Sequence, residues 1–145
     1  MLIGEYTSRV GEKKRVAIPK KLRGQLGDGL ILTRGYEHSL VLVDQTRWEI
    51  IAKEVIDGSF INKDIRDTTR FLVGSAVEIS PDPQGRVVIP DNLFRYAQIE
   101  SEIVFIGLVN WVEIWDRSKW EERLVYLDQH SSEIADSLGR KGKDE

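Results

Sequence analysis

The chain has 145 residues, of which 41% are hydrophobic and 31% charged, and a formal net charge of −3 at pH 7; that size suits one domain, since two separate cores of about 70 residues would each be marginal. The absence of cysteine excludes disulfides, thiolate catalysis and cysteine-based metal sites. No run reaches the roughly 18 apolar residues of a membrane span, and Met1-Leu2-Ile3-Gly4-Glu5 lacks a secretory pattern, so a cytoplasmic protein without a membrane partner is expected.

The first predicted element is a strand, Gly4 to Val10, which leads through the turn Gly11-Glu12-Lys13-Lys14 into a second strand, Arg15 to Ile18. β-branched runs bounded by glycine and proline carry this reading. Pro19 stops the strand because it cannot donate to a ladder, and a short helical turn follows over Lys20 to Leu26. A hairpin comes next, with Leu30 to Thr33 and Leu40 to Val43 flanking a turn around Gly35. Asp44 is placed to cap a helix in which Trp48, Ile51, Val55 and Ile56 share one face. A further short helix is predicted over Asn62 to Leu72, with Asp64 as its cap and Gly74 after its end.

The same series then returns. Ala76 to Ser80 leads through Pro81-Asp82-Pro83-Gln84-Gly85 into Arg86 to Ile89, Pro90 and a helical turn over Asp91 to Ala97. A hairpin of Ile103 to Ile106 and Trp111 to Trp115 precedes the cap Asp116 and a helix with Trp120, Leu124 and Leu127 on one face. Arg15-Val16-Ala17-Ile18-Pro19 recurs as Arg86-Val87-Val88-Ile89-Pro90, and the interval from Gly35 to Trp48 equals that from Gly107 to Trp120. A repeat of this kind fixes architecture. The fold class expected is α+β and β-rich: two tandem ββ-ββα units packed about a pseudo-twofold axis and sharing one core. The first repeat is assigned to 1–58, a connecting helix to 59–74, the second repeat to 75–138, and a disordered tail to 139–145, where no apolar residue can be buried.

Net charge alone argues against a polyanionic partner, but its distribution argues for one. From Arg9 to Arg23 there are seven basic residues (Arg9, Lys13, Lys14, Arg15, Lys20, Lys21, Arg23) against one acid, Glu12. The matching stretch Ser80 to Arg95 carries two of each sign, and Asn110 to Asp136 holds seven acids and three bases. Regional charge steers a polyanion more than the total does. Arg15 and Arg86 stand at equivalent places just after a turn, and their functional reading is contact with DNA phosphates or a guanine edge. The competing reading for Arg86 is a turn salt bridge with Asp82. Lys13, Lys14 and Arg9 are read as phosphate contacts, while Lys20, Lys21 and Arg23 face either DNA or solvent.

Trp48 and Trp120 are read as core anchors. Trp111, Glu113 and Trp115 share one strand face, open to either a core or a subunit contact. His38 and His130 stand apart from any second histidine and are read as surface residues. No arrangement supports nucleophilic or acid–base catalysis and no glycine-rich phosphate loop occurs, so no enzyme, cofactor, metal or small-molecule substrate is expected. The β-rich opening excludes a Rossmann-type fold.

Gly4-Glu5-Tyr6, Arg15 to Pro19, Leu32-Thr33-Arg34-Gly35, Asp82-x-x-Gly85-Arg86, Arg86 to Pro90 and Glu113-Ile114-Trp115-Asp116 resemble, together and in order, the MraZ family of the AbrB-like swapped-hairpin class. The resemblance spans residues 1 to 127. It implies two AbrB-like repeats in a tandem swapped-hairpin β-barrel with peripheral helices, and self-association into a closed ring. It also implies sequence-specific binding of double-stranded DNA as a nucleoid-associated transcriptional regulator, at repeated sites near division and cell-wall genes. The family's Asp-x-x-x-Arg turn is intact in Asp82 to Arg86, but Gly11 and Lys14 stand where aspartate and glycine are usual. That departure means either tighter, less selective phosphate binding or a reshaped, decayed turn. A second reading stays open: a non-enzymatic, antitoxin-like scaffold whose acidic helix faces, Glu121 to Asp136, dock a protein.

Overall fold

The computed structural model describes the backbone of residues 1–144 and the side chains of residues 1–140. The first copy contains β1 (Ile3–Arg9), a 3-10 turn (Glu12–Lys14), β2 (Arg15–Ala17), α1 (Lys20–Leu26), β3 (Leu30–Arg34), β4 (Leu40–Asp44) and α2 (Gln45–Ile56). After α3 (Lys63–Leu72) come β5 (Val77–Ile79), β6 (Arg86–Val88), α4 (Asp91–Tyr96), β7 (Glu102–Leu108), β8 (Val112–Asp116) and α5 (Arg117–Asp144). The class is therefore α+β.

Six strands form one antiparallel sheet in the order β1-β7-β8-β4-β3-β5, and β2 pairs with β6 as a separate two-stranded ribbon. The copies are joined strand by strand. β1 of the first copy pairs with β7 of the second, β5 of the second pairs with β3 of the first, and β4 meets β8 at the centre. The central pairings fall on matched positions: Val16 opposite Val87 in the ribbon, and Val41 opposite Glu113 in the sheet. The sheet does not close into the expected barrel. β2 and β6 are short, stop at Pro19 and Pro90, and pair with each other, so among the described residues no strand pairing links the edge strands β1 and β5.

Pairing also corrects one detail of the repeat. Leu42 lies opposite Leu32 and its counterpart Ile114 lies opposite Phe105, so Leu32 of β3 matches Phe105 of β7 rather than Val104. Gly35 and Gly107 are therefore one position out of structural register with each other.

The core lies between the sheet and the ribbon. Leu30, Leu32, Leu40 and Leu42 of one hairpin and Ile103, Phe105, Val112 and Ile114 of the other line one sheet face. Val16 and Val87 of the ribbon, Leu22 and Leu26 of α1, and Leu93 of α4 cover that face. The opposite face carries a smaller cluster of Val104, Ile106 and Trp115 beneath α5. Alternation along each strand sorts the two sets.

Trp48 and Trp120, expected as core anchors, are not among the fully buried residues, and Trp120 packs against the smaller cluster from its edge. Both are half-buried, and α2, which packs beside α3, holds no buried residue. Trp120 lies edge-on to Trp115, ring centroids 5.4 Å apart, and donates to Glu5 at 2.6 Å. The buried aromatics are Phe105 and Trp115. Helix starts differ too: Asp44 pairs with Arg47 at 2.7 Å instead of capping, and α3 is capped by Asn62, which accepts from the Ile65 amide at 3.1 Å. Residues 139–144, expected to be disordered, continue α5. Elongating a nucleated helix adds one hydrogen bond per residue fixed and needs no buried face. Glu145 lies outside the described residues.

Candidate nucleic-acid interface

The ribbon has two faces. Val16 and Val87 point into the core, so period-2 alternation turns Arg15, Ala17, Arg86 and Val88 outward. Arg15 stands opposite Val88 and Arg86 opposite Ala17, which makes the two arginines diagonal neighbours on the solvent side. Such neighbours are about 7–8 Å apart. A turn leaves each end of this ribbon, and both turns close with the same bond: Gly11 donates to the Arg15 carbonyl and Asp82 to the Arg86 carbonyl, each at 2.8 Å.

Asp82 organises the second turn. Its carboxylate accepts the Gln84 and Arg86 amides and Arg86 Nε, all at 2.9 Å. The backbone amide of Arg86 is the main cause that holds the Asp82 carboxyl below its ordinary 3.8, with the Arg86 side chain and the Gln84 amide adding to it and partial desolvation opposing. Gly85 adopts φ +78°, as that turn position requires. The first turn lacks the carboxylate, and Lys13 and Lys14 both adopt φ +58°. Since the closing bond is kept, loss of the aspartate has not opened the turn.

The candidate residues do not act alike. Lys13 is exposed. Lys14 Nζ pairs with Asp91 Oδ1 of the second copy and lies 5.3 Å from the Phe94 ring centroid. The Asp91 carboxyl is held low, first by this hydrogen bond and then by the lysine charge. Arg9 ends β1 opposite Glu102, in the large sheet rather than on the ribbon. Arg23 was not distinguished from its lysine neighbours by sequence, yet its Nη1 donates to the Gln84 carbonyl at 3.1 Å.

A model of the family described as "MraZ protein, putative antitoxin-like" matches the chain twice, over residues 1–71 and 72–139. The chain belongs to the MraZ family. It is similar to the transcriptional regulator MraZ of Clostridium tetani, 44% identical over 122 residues that cover 84% of this chain and 86% of the relative. It is also similar to the transcriptional regulator MraZ of Thermoanaerobacter pseudethanolicus, 41% identical over 95% of this chain and 96% of the relative. With the protein of that name from Acetivibrio thermocellus it shares 37% identity over 98% and 99%.

Within this MraZ chain, Leu32-Thr33-Arg34-Gly35 has a structural task that sequence did not disclose. Thr33 donates to the Leu72 carbonyl, and Arg34 Nε donates to the Phe71 carbonyl at 3.1 Å. The Arg34 guanidinium lies 4.4 Å from the Phe71 ring centroid, and Tyr96 donates to the Gly35 carbonyl at 2.5 Å. The motif thus receives the unsatisfied carbonyls at the end of α3 and ties them to α4. No local pattern signals a contact between residues so far apart along the chain.

Proposed function

We propose that this MraZ protein is a transcriptional regulator that binds double-stranded DNA sequence-specifically, as a ring-like homo-oligomer on repeated sites near division and cell-wall genes. In this reading it works on the nucleoid in the cytoplasm and uses no cofactor. The observation that carries it is the outward pair Arg15 and Arg86 on a two-stranded ribbon flanked by exposed turns. A two-stranded ribbon fits the major groove, and arginine there reads guanine edges or binds phosphates. One ribbon offers few contacts. Several ribbons held in one assembly gain by effective concentration, on the order of 100-fold or more. Exposed apolar residues on α5 (Val125, Tyr126, Ile134, Leu138) and at Phe60 and Ile61 favour self-association.

The test is fluorescence anisotropy on duplexes selected from a random pool. Recovery of spaced direct repeats is expected. Arg15→Ala should weaken binding at every salt concentration and reduce the slope of log K against log salt by about 0.9 for each phosphate no longer neutralised. Unchanged affinity and slope would overturn the assignment of the ribbon. The acidic, exposed side of α5 favours the scaffold reading instead, and no gel retardation at low salt together with a captured protein is the outcome that selects it.

A further inference from the structure

Each turn is completed by a helix of the other copy, and the two completions carry opposite charge. At the first turn, Asp91 and Phe94 of α4 receive Lys14. At the second, Arg23 of α1 lies against Gly85, so near that a Cβ on this glycine would fall 1.3 Å from Nη1. The correspondence that matches Arg15 with Arg86 also matches Lys14 with Gly85, Lys20 with Asp91 and Arg23 with Phe94. Two equivalent backbone bonds support it: Ile89 donates to the Lys14 carbonyl and Ile18 to the Gly85 carbonyl, each at 3.0 Å.

The basic run that looks like one patch in sequence is therefore divided between two places. Among the described residues neither Lys20 nor Arg23 forms an ion pair, and Lys20 and Lys21 are exposed. Arg23 borders an open cleft of about 540 Å³ together with Asp28, Pro81, Asp82, Pro83 and Gly85. Of the two carboxylates there, Asp82 is already engaged by Arg86 and the turn amides. A guanidinium has five N–H donors, and Arg23 makes a single hydrogen bond among the described residues, to the Gln84 carbonyl.

We propose that DNA phosphate at the second turn is bound by a composite cationic unit, Arg23 and Lys20 of the first copy with the terminal N–H groups of Arg86, whose Nε alone is given to Asp82, while Asp91 takes the single ammonium of Lys14 away from the first turn. The inference rests on the DNA-binding reading above. The second turn, near neutral within its own copy, gains Arg23 and Lys20 from the first copy, and the first turn, with Lys14 paired to Asp91, relies on Arg15 and Lys13.

The test uses the full chain and a duplex selected by it. Arg23→Gln should weaken binding and lower the salt slope by about 0.9. Its effect should shrink in an Arg86→Ala background and add fully to Arg15→Ala, because only the first pair shares a phosphate site. Lys20→Gln, an exposed change that breaks no ion pair, should weaken binding in the same background-dependent way and carries the test if Arg23→Gln melts early by circular dichroism. Asp91→Asn should tighten binding, and Lys14→Ala should abolish that gain. The proposal is overturned if both Arg23→Gln and Lys20→Gln bind as the unmodified chain does while Arg86→Ala weakens. Coupling of Arg23 to Arg15, or no tightening by Asp91→Asn, overturns it equally. If neither Arg15→Ala nor Arg86→Ala alters binding, it is the DNA-binding reading that fails.

Discussion

A single carboxylate decides how the second turn is held, since Asp82 takes two amides and a guanidinium from residues close to it in the chain. Its pKa is lowered in the folded chain, so its contribution is present above the unfolded value and is lost as pH falls through the folded one. Asp91 follows the same sign through Lys14. Acidification below the ordinary carboxylate value of 3.8 should therefore loosen both turns. Amide exchange or NMR shifts at Gln84 and Arg86 should report it, and Asp82→Asn should remove the pH dependence there. Gly85 is the other decisive residue: φ is +78°, and the place of a side chain is occupied by Arg23. Gly85→Ala should cost about 1–3 kcal/mol in urea denaturation from the disfavoured backbone conformation alone. An unchanged midpoint would mean that Gly85 does not hold this left-handed conformation in solution.

Among the elements, strand alternation decides which residues are buried and packing decides how much each one contributes. Phe105 on β7 is fully buried between sheet and ribbon, and Phe105→Ala should cost about 3–5 kcal/mol by equilibrium denaturation. β1 approaches β7 so closely at Gly107 that a Cβ would fall 2.5 Å from the Ile3 nitrogen, so Gly107→Ala should displace the edge strand. α3 is held by its C-terminal carbonyls as well as by packing. Thr33→Val removes the hydroxyl that binds the Leu72 carbonyl and contacts Ser75 at 2.9 Å. A destabilisation of about 1 kcal/mol should show as faster hydrogen exchange confined to α3, and uniform acceleration across the sheet would refute this role.

The molecule as a whole is built by reciprocal strand donation. Neither copy has a complete sheet of its own, because β1 needs β7 and β5 needs β3. Residues 1–71 alone should give no folded monomer, and mixing them with 72–145 should restore β-sheet circular dichroism and one cooperative melt. A cooperative melt of monomeric 1–71 by sedimentation and calorimetry would contradict this. The same exchange brings α1 to the second turn and α4 to the first, so charge encoded in one copy acts in the other.

Sequence by itself determined the repeat, the eight strands, the short helices after Pro19 and Pro90, and Arg15 and Arg86 as equivalent positions, because turn chemistry and alternation are local. Tertiary structure decided what depends on partners distant along the chain. Pairing left the sheet open, made Trp48 and Trp120 half-buried, and divided one basic run between two turns. Lys14 illustrates the physical reason: its charge is visible in the sequence, but its availability depends on Asp91, far along the chain, which only the pairing of β2 with β6 brings into contact.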